Sequence, residues 1–114
     1  TSDKNRFNRT FQLITKYDKL GVKGISIGWA HEAILRTEAF ANGDYYSDSQ
    51  KPILLLNATR DKLVSPTANL EALSSYKNLT VKDIDCKHEI FMEVDDFRKE
   101  AWGSVDQFLK SFNL

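Results

Sequence analysis

Hydrophobic positions in the first forty residues recur at the spacing of amphipathic helices. Phe7, Phe11 and Ile14 form one apolar stripe in a helix that we predict over about 3–17. A second helix is predicted over about 29–40. The segment 21–28 between them holds three glycines and is typical of a loop. The first part of the chain is therefore predicted to contain helices and no strands.

The second part of the chain follows a different pattern, which predicts alternating strands and helices. A continuous apolar run at 53–56 is typical of a parallel strand buried on both faces. Ser65 and Pro66 have the residue types of an N-cap and a first helical position. A weaker strand is predicted over Leu79–Ile84, and a periodic apolar stripe predicts a helix over about 95–112. This order favours a right-handed parallel βαβ unit covered by helices, an α/β class.

The polar, turn-rich segment at 41–51 is the clearest boundary in the chain. We predict a helical cap segment at 1–42, a linker at 43–51 and a βαβα part of a larger core at 52–114. Two parallel strands leave sheet edges unpaired. We therefore expect further strands from elsewhere in a longer polypeptide or from a partner, and the open edge also allows self-association.

Composition and charge narrow the classes of function. Lys plus Arg and Asp plus Glu both total 16 in this chain of 114 residues, so the formal net charge is zero. Without a basic patch, we expect no nucleic-acid binding. The single Cys86 excludes an intramolecular disulfide and fits a reducing compartment. The longest apolar run is far shorter than the roughly 20 residues of a spanning helix, so we expect a cytoplasmic protein and leave peripheral membrane contact open.

Two residues with catalytic chemistry follow the two predicted strands. Asp61 lies in NATRDKLVSP after the first strand, and His88 lies in CKHEIFMEVDD after the second. Open α/β sheets place their sites in loops at the carboxyl ends of parallel strands. An aspartate that holds a histidine in one tautomer is the orienting half of a Ser-His-Asp triad. The competing interpretations are a surface-turn role for Asp61 and an ordinary loop position for His88.

Ser26 offers a second interpretation of the same chemistry. Gly24, Ser26 and Gly28 match the G-x-S-x-G nucleophile elbow, and Ser26, Asp61 and His88 run in the hydrolase order. The elbow needs a buried strand before it, whereas the preceding TKYDKLGVK is polar. We therefore favour a glycine-rich loop that enters a helix.

Metal and cofactor chemistry have little support in the sequence. The His88-Glu89 pair is followed by Glu93 and does not form HExxH, and the chain has no CxxC. We predict no metal site and no cofactor.

Three segments of the chain resemble a known family. TSDKNRFNRTFQLI resembles a cap helix, and GISIGWAHEAI resembles a cap segment that usually reads Gly-Gly-Pro-Thr-x-Gly-Trp. PILLLNATRDKLVSP and KHEIFMEVDDFRKEA resemble an acid strand and a histidine loop. Over about 1–112 the chain thus resembles the C-terminal part of lysophospholipase and monoacylglycerol-lipase-like α/β-hydrolases, although Lys23-Gly24-Ile25 replaces the usual Gly-Gly-Pro.

The resemblance implies a role for individual residues. Asp61 matches the triad acid and His88 the triad base, while Ser26 matches a cap position. The nucleophile serine would lie upstream of this chain, which alone would be inactive. Glu89 and Glu93 match family positions to which we assign structural or loop-fixing roles.

The resemblance also implies a substrate class. The expected activity is that of a serine hydrolase of lipid-like esters, such as lysophospholipids or monoacylglycerols, with Trp29 as a candidate wall for the acyl chain. The alternatives are a minimal hydrolase that uses Ser26 and a non-catalytic α/β domain that binds a partner through its open sheet edge.

Overall fold

The computed structural model of the chain describes residues 1–22, 24–42 and 50–113. Within these residues, two helices precede a two-stranded parallel sheet whose strands alternate with two further helices. The predicted mixture of helix and parallel strand is therefore confirmed. Most of the predicted linker, 43–49, lies outside the described residues.

The N-terminal helices begin at side-chain caps. Helix α1 spans Lys4–Lys16, and the Asp3 carboxylate before it accepts hydrogen bonds from the second and third backbone N–H groups of the helix. A short 3-10 turn, Asp18–Leu20, follows. Helix α2 spans Ile27–Ala41. It starts before the predicted position because the Ser26 side chain accepts a hydrogen bond from the backbone N–H of Trp29.

The sheet consists of β1, Ile53–Ala58, and β2, Leu79–Ile84, in parallel register from Ile53 opposite Leu79 to Ala58 opposite Ile84. Strand β2 has the predicted bounds, whereas β1 extends beyond the predicted apolar run at 53–56. The added residues include the buried Asn57, whose side-chain amide donates to Asp83 of β2 over 2.8 Å. This side-chain bond compensates part of the cost of burying a polar group in the strand.

The two remaining helices follow the strands in the predicted order. Helix α3, Pro66–Ala72, begins where the Ser65 hydroxyl accepts from the backbone N–H of Ala68, as the Ser-Pro pair predicted. Helix α4, Asp95–Lys110, packs against both strands. It ends before the predicted position, so that Phe112 lies beyond the helix and is exposed.

The best-packed part of the chain lies at the carboxyl ends of the strands. Its fully or nearly fully buried apolar residues come from both strands, the loop after β2 and helix α4; they are Ala58, Ile84, Cys86 and Ala101. Leu56, Ile90 and Phe97 pack around them. The loops that carry Asp61 and His88 therefore rest on this core, whereas α1 leaves Phe7 58% exposed and Phe11 61% exposed.

Candidate functional site

The loops after the two strands are joined by backbone hydrogen bonds that continue the sheet ladder. The N–H of Thr59 donates to the Ile84 carbonyl over 3.0 Å, and the N–H of Arg60 donates to the Cys86 carbonyl over 3.0 Å. The Arg60 side chain also donates to the Asp85 carbonyl over 3.0 Å. These bonds hold the start of the acid loop, 59–65 between β1 and α3, against the start of the histidine loop, 85–94 between β2 and α4.

The Asp61 carboxylate is oriented by its own loop. The backbone N–H of Asp61 closes a turn onto the Ala58 carbonyl over 3.1 Å. Its Oδ1 accepts hydrogen bonds from the backbone N–H groups of Leu63 over 2.8 Å and Val64 over 3.2 Å. This Asx-type turn fixes one carboxylate oxygen and leaves the other free to face the histidine loop.

That second oxygen meets His88. Asp61 Oδ2 and His88 Nδ1 are 2.7 Å apart, so the sequence-based expectation that the two side chains meet is confirmed. The Asp61 side chain is only 5% exposed and the His88 side chain is 43% exposed. Among the described residues, the hydrogen bond to Asp61 is the one that the His88 side chain makes. One ring nitrogen is thus held by a carboxylate, in a side chain that is partly open to solvent.

The charge state of Asp61 suits this pairing. Burial alone raises the pKa of Asp61, but the hydrogen bonds with His88, Leu63 and Val64 more than offset it, so the pKa lies below its ordinary value. The carboxylate is therefore ionised at neutral pH and acts as a hydrogen-bond acceptor. An acceptor at Nδ1 selects the tautomer in which Nδ1 carries the proton and Nε2 can accept one.

The histidine loop connects β2 to α4 and contains a short helical turn. A 3-10 turn, Ile90–Met92, follows His88, and the backbone N–H of Ile90 donates to the His88 carbonyl over 3.2 Å. Two side chains of this loop, Cys86 and Glu93, are fully buried. Burial and the nearby Glu93 charge raise the pKa of the Cys86 thiol, which disfavours a reactive thiolate.

Two apolar depressions flank the sheet ends that carry the pair. An open depression of about 350 Å³ is bordered by Leu56, His88 and the 3-10 turn of the histidine loop. A larger groove of about 630 Å³ lies between α2, α3 and the acid loop. Its walls include Phe40 of α2, Leu55 of β1, and Leu63 and Val64 from the loop of Asp61. Apolar surface thus borders His88 and the loop that carries Asp61.

Ser26 and Trp29 belong to the start of helix α2 and are not part of the Asp61–His88 pair. Ser26 Oγ accepts the backbone N–H of Trp29 over 3.1 Å and thereby caps α2. Among the described residues, no strand precedes Ser26, so the geometry of a nucleophile elbow is not formed. Trp29 is 61% exposed on α2, and the residues of α2 that border the larger groove lie near its other end, at Thr37, Phe40 and Ala41. The role of Trp29 as a substrate wall stays a prediction.

The described residues form neither a cluster of metal ligands nor a helix that could span a membrane. Within residues 1–22, 24–42 and 50–113, no group of three or more His, Cys, Asp or Glu side chains is arranged to hold a metal ion. No helix in this part of the chain has the length and apolar character needed to cross a bilayer.

Comparisons with known proteins add no family assignment. No protein-family model, no curated protein and no solved structure matches this chain.

Proposed function

We propose that this chain is part of a serine hydrolase of carboxylic esters and supplies the acid and the base of its catalytic triad, Asp61 and His88. The observation that carries the proposal is the 2.7 Å contact between Asp61 Oδ2 and His88 Nδ1 at adjacent strand ends. An ionised, shielded carboxylate on one ring nitrogen, in a histidine that is partly open to solvent, suits a general base of this type.

In the proposed chemistry, His88 accepts a proton and then donates it in each half of the reaction. As a serine hydroxyl attacks the ester carbonyl, Nε2 of His88 accepts its proton, and the ring then gives this proton to the leaving alcohol. In the second half of the reaction, water attacks the acyl-enzyme, Nε2 takes the proton of that water, and the serine oxygen receives it as the acid departs. Asp61 accepts the Nδ1–H hydrogen bond throughout and stabilises the transient imidazolium charge.

The serine in this proposal belongs to a further part of an α/β-hydrolase fold, upstream of the cap. Each of the two parallel strands has one edge without a strand partner among the described residues. Strand β1 is apolar along most of its length, which suits a strand with neighbours on both sides. In this arrangement 1–42 forms the cap and 52–114 the last βαβα unit of the core, as the resemblance implies.

Lipid-like esters are the proposed substrates, such as lysophospholipids or monoacylglycerols. The apolar groove between α2, α3 and the Asp61 loop supports this class, because an acyl chain needs apolar walls close to the reacting carbonyl. The cap helix α2 contributes Phe40 to this groove, and we retain Trp29 as a second proposed contact. Such substrates are delivered from lipid surfaces, so a peripheral membrane contact belongs to the same proposal.

One observation favours a different class of function, a non-catalytic interaction domain. Large apolar side chains are exposed on α1, α2 and the segment between them, with Val22 at 91%, Ile27 at 90% and Trp29 at 61%. Exposed apolar surface and unpaired sheet edges are both suited to binding another polypeptide. This alternative predicts binding without hydrolysis.

Hydrolysis of p-nitrophenyl butyrate and of a monoacylglycerol by the natural polypeptide that contains this segment separates the two proposals. We expect His88→Ala to abolish most turnover because it removes the general base. Asp61→Asn should lower kcat about 10⁴-fold, since it leaves the wrong tautomer. Ser26→Ala is the matched serine control and should stay within a few-fold of the parent.

The outcomes are distinct. Full activity of His88→Ala would exclude the hydrolase proposal and leave the interaction domain. Loss of activity in Ser26→Ala, together with turnover by the 114-residue chain alone, would instead identify Ser26 as the nucleophile.

A further inference from the structure

Glu93 is a carboxylate that is completely shielded from solvent, with 0% exposure. Burying an ionised carboxylate costs several kcal/mol or more unless hydrogen bonds replace its hydration. Here the backbone N–H of Ser2 lies 2.8 Å from one carboxylate oxygen and 2.7 Å from the other. A hydrogen bond from the Lys87 backbone also lowers the pKa of Glu93. The side chain is therefore a structural acceptor built into the interior.

The partners of Glu93 come from two distant parts of the sequence. Ser2 precedes helix α1, 91 positions away, whereas Lys87 is the residue immediately before His88. The carboxylate thus lies between the entrance of α1 and the peptide that leads into the histidine.

Other contacts bring the same two segments together. The Arg6 guanidinium donates to the Glu93 backbone carbonyl and pairs with the side chains of Asp3 and Asp95. The Thr1 hydroxyl donates to the Met92 carbonyl. The first turn of α1 is therefore attached to the end of the histidine loop at several points, with Glu93 at the centre.

The charge of Glu93 is maintained in the fold. Burial raises the pKa of Glu93, but the hydrogen bond from Ser2, the Thr1 ammonium 3.7 Å away and the hydrogen bond from the Lys87 backbone outweigh it, so the pKa lies below its ordinary value. An ionised carboxylate only accepts hydrogen bonds, so it can satisfy backbone N–H donors from both segments. A glutamine at this position has one acceptor oxygen, and its NH₂ group would face a donor.

We propose that Glu93 is a positioning residue: by holding the Lys87 peptide and the entrance of α1 together, it fixes the His88 ring against Asp61. The inference rests on the proposed role of His88 as the general base. It adds that the entrance of α1, the first cap helix in the proposed function, and the histidine loop are coupled through one buried carboxylate. Displacement of α1 should then alter the orientation of the His88 ring.

The tautomer of His88 reports this orientation directly. In the ¹⁵N-labelled full chain at neutral pH, the two ring nitrogens of His88 have different chemical shifts when the proton resides on Nδ1 and Asp61 accepts it. We expect Glu93→Gln to reduce this Nδ1–H population to less than half of the parent value. Glu71→Gln, an exposed change of the same type on α3, should leave the shifts unchanged.

Glu93→Asp keeps the charge but shortens the side chain, and it serves if Glu93→Gln does not fold. We expect an intermediate loss of the Nδ1–H population in this variant. An unchanged His88 tautomer in a folded Glu93 variant would overturn the positioning role while leaving the hydrolase proposal intact. Absence of the Nδ1–H tautomer in the parent chain would overturn the positioning role as well, because no oriented ring would exist. The hydrolase proposal itself is tested separately by the turnover of Asp61→Asn and His88→Ala.

Discussion

Asp61 and Glu93 are both shielded carboxylates, and hydrogen bonds from backbone N–H groups help to lower the pKa of each. Asp61 receives these hydrogen bonds from its own loop, at Leu63 and Val64, and uses its other oxygen for His88. Glu93 receives them from separate segments, at Ser2 and Lys87. The first arrangement orients a reacting pair, and the second holds the loop that carries it.

The sequence predicted these residues unequally. Asp61 and His88 could be found because each follows a predicted strand, and parallel strands bring their carboxyl ends to one edge. The burial of Glu93 had no local signal, because glutamate is mostly exposed in proteins. Its partner Ser2 lies 91 positions away, and contacts over that separation depend on tertiary packing. The family resemblance assigned Glu93 only a general structural role.

The lowered pKa values of Asp61 and Glu93 predict how stability depends on pH. Both carboxyls bind protons more weakly in the folded than in the unfolded chain, since their pKa values lie below 3.8 and 4.5, the ordinary values for Asp and Glu. The stability they add is complete above the ordinary pKa values and is lost as the pH falls through the folded values. We expect the free energy of unfolding to decrease from about pH 5 to about pH 3.

Urea unfolding at a series of pH values tests this expectation. Glu93→Gln should show a shallower decrease, because one of the linked protons is removed, while Glu71→Gln should keep the parent slope. A parent chain whose stability is constant over this range would contradict the assignment.

The burial of Cys86 predicts a slow reaction of its thiol. Cys86 is 0% exposed, and burial raises its pKa, so the nucleophilic thiolate is rare at neutral pH. We expect alkylation by iodoacetamide to be roughly a hundredfold slower in the folded chain than in urea. Mass spectrometry of quenched samples measures the two rates. Equal rates would mean that the histidine loop opens freely, which is incompatible with a fixed His88.

At the scale of elements, the N-cap signal in the sequence predicted the start of α3, whereas the start of α2 and the end of α4 were misplaced. Ser65-Pro66 marked the first turn of α3, and the weaker strand predicted over Leu79–Ile84 has the observed bounds of β2. The end of α4 was placed too late because the apolar stripe continues to Phe112, past the last helical residue, Lys110. The periodicity shows which side chains are apolar, whereas the end of a helix depends on where its backbone hydrogen bonds stop.

The cap of α2 supports a prediction that separates structural from catalytic serine. Ser26→Ala removes the acceptor for the Trp29 N–H and should lower the free energy of unfolding by about 1 kcal/mol. Ser26→Thr keeps a hydroxyl at the same place and should retain most of the stability. Urea unfolding followed by Trp fluorescence measures both variants. Unchanged stability in Ser26→Ala would show that α2 begins elsewhere in solution.

At the scale of the whole molecule, each strand of the sheet has one edge without a strand partner among the described residues. Strand β1 pairs with β2 on one side, and its hydrogen bonds alternate: the N–H of Ile53 donates to the Asn78 carbonyl, and the N–H of Thr59 donates to the Ile84 carbonyl. By this alternation the N–H of Leu55 points toward β2 and the N–H of Leu54 points away from it. The outward groups of β1 are a row of donors and acceptors that another strand can use.

Proline substitutions at these two neighbouring leucines test whether the edge is an association surface. Leu54→Pro removes a backbone donor that points away from β2, so the hydrogen bonds between β1 and β2 stay intact. Proline is tolerated at such edge positions of a sheet. Leu55→Pro is the matched control, because it removes an inward donor and should disrupt the sheet, visible by circular dichroism. We expect the parent chain to self-associate with rising concentration in sedimentation velocity, and Leu54→Pro to remain folded and shift toward monomer.

Equal association of the parent and Leu54→Pro would place the contact on another surface, such as the exposed apolar side chains of α1. A parent chain that stays monomeric at every concentration would mean that the free edge of β1 does not pair with a second copy.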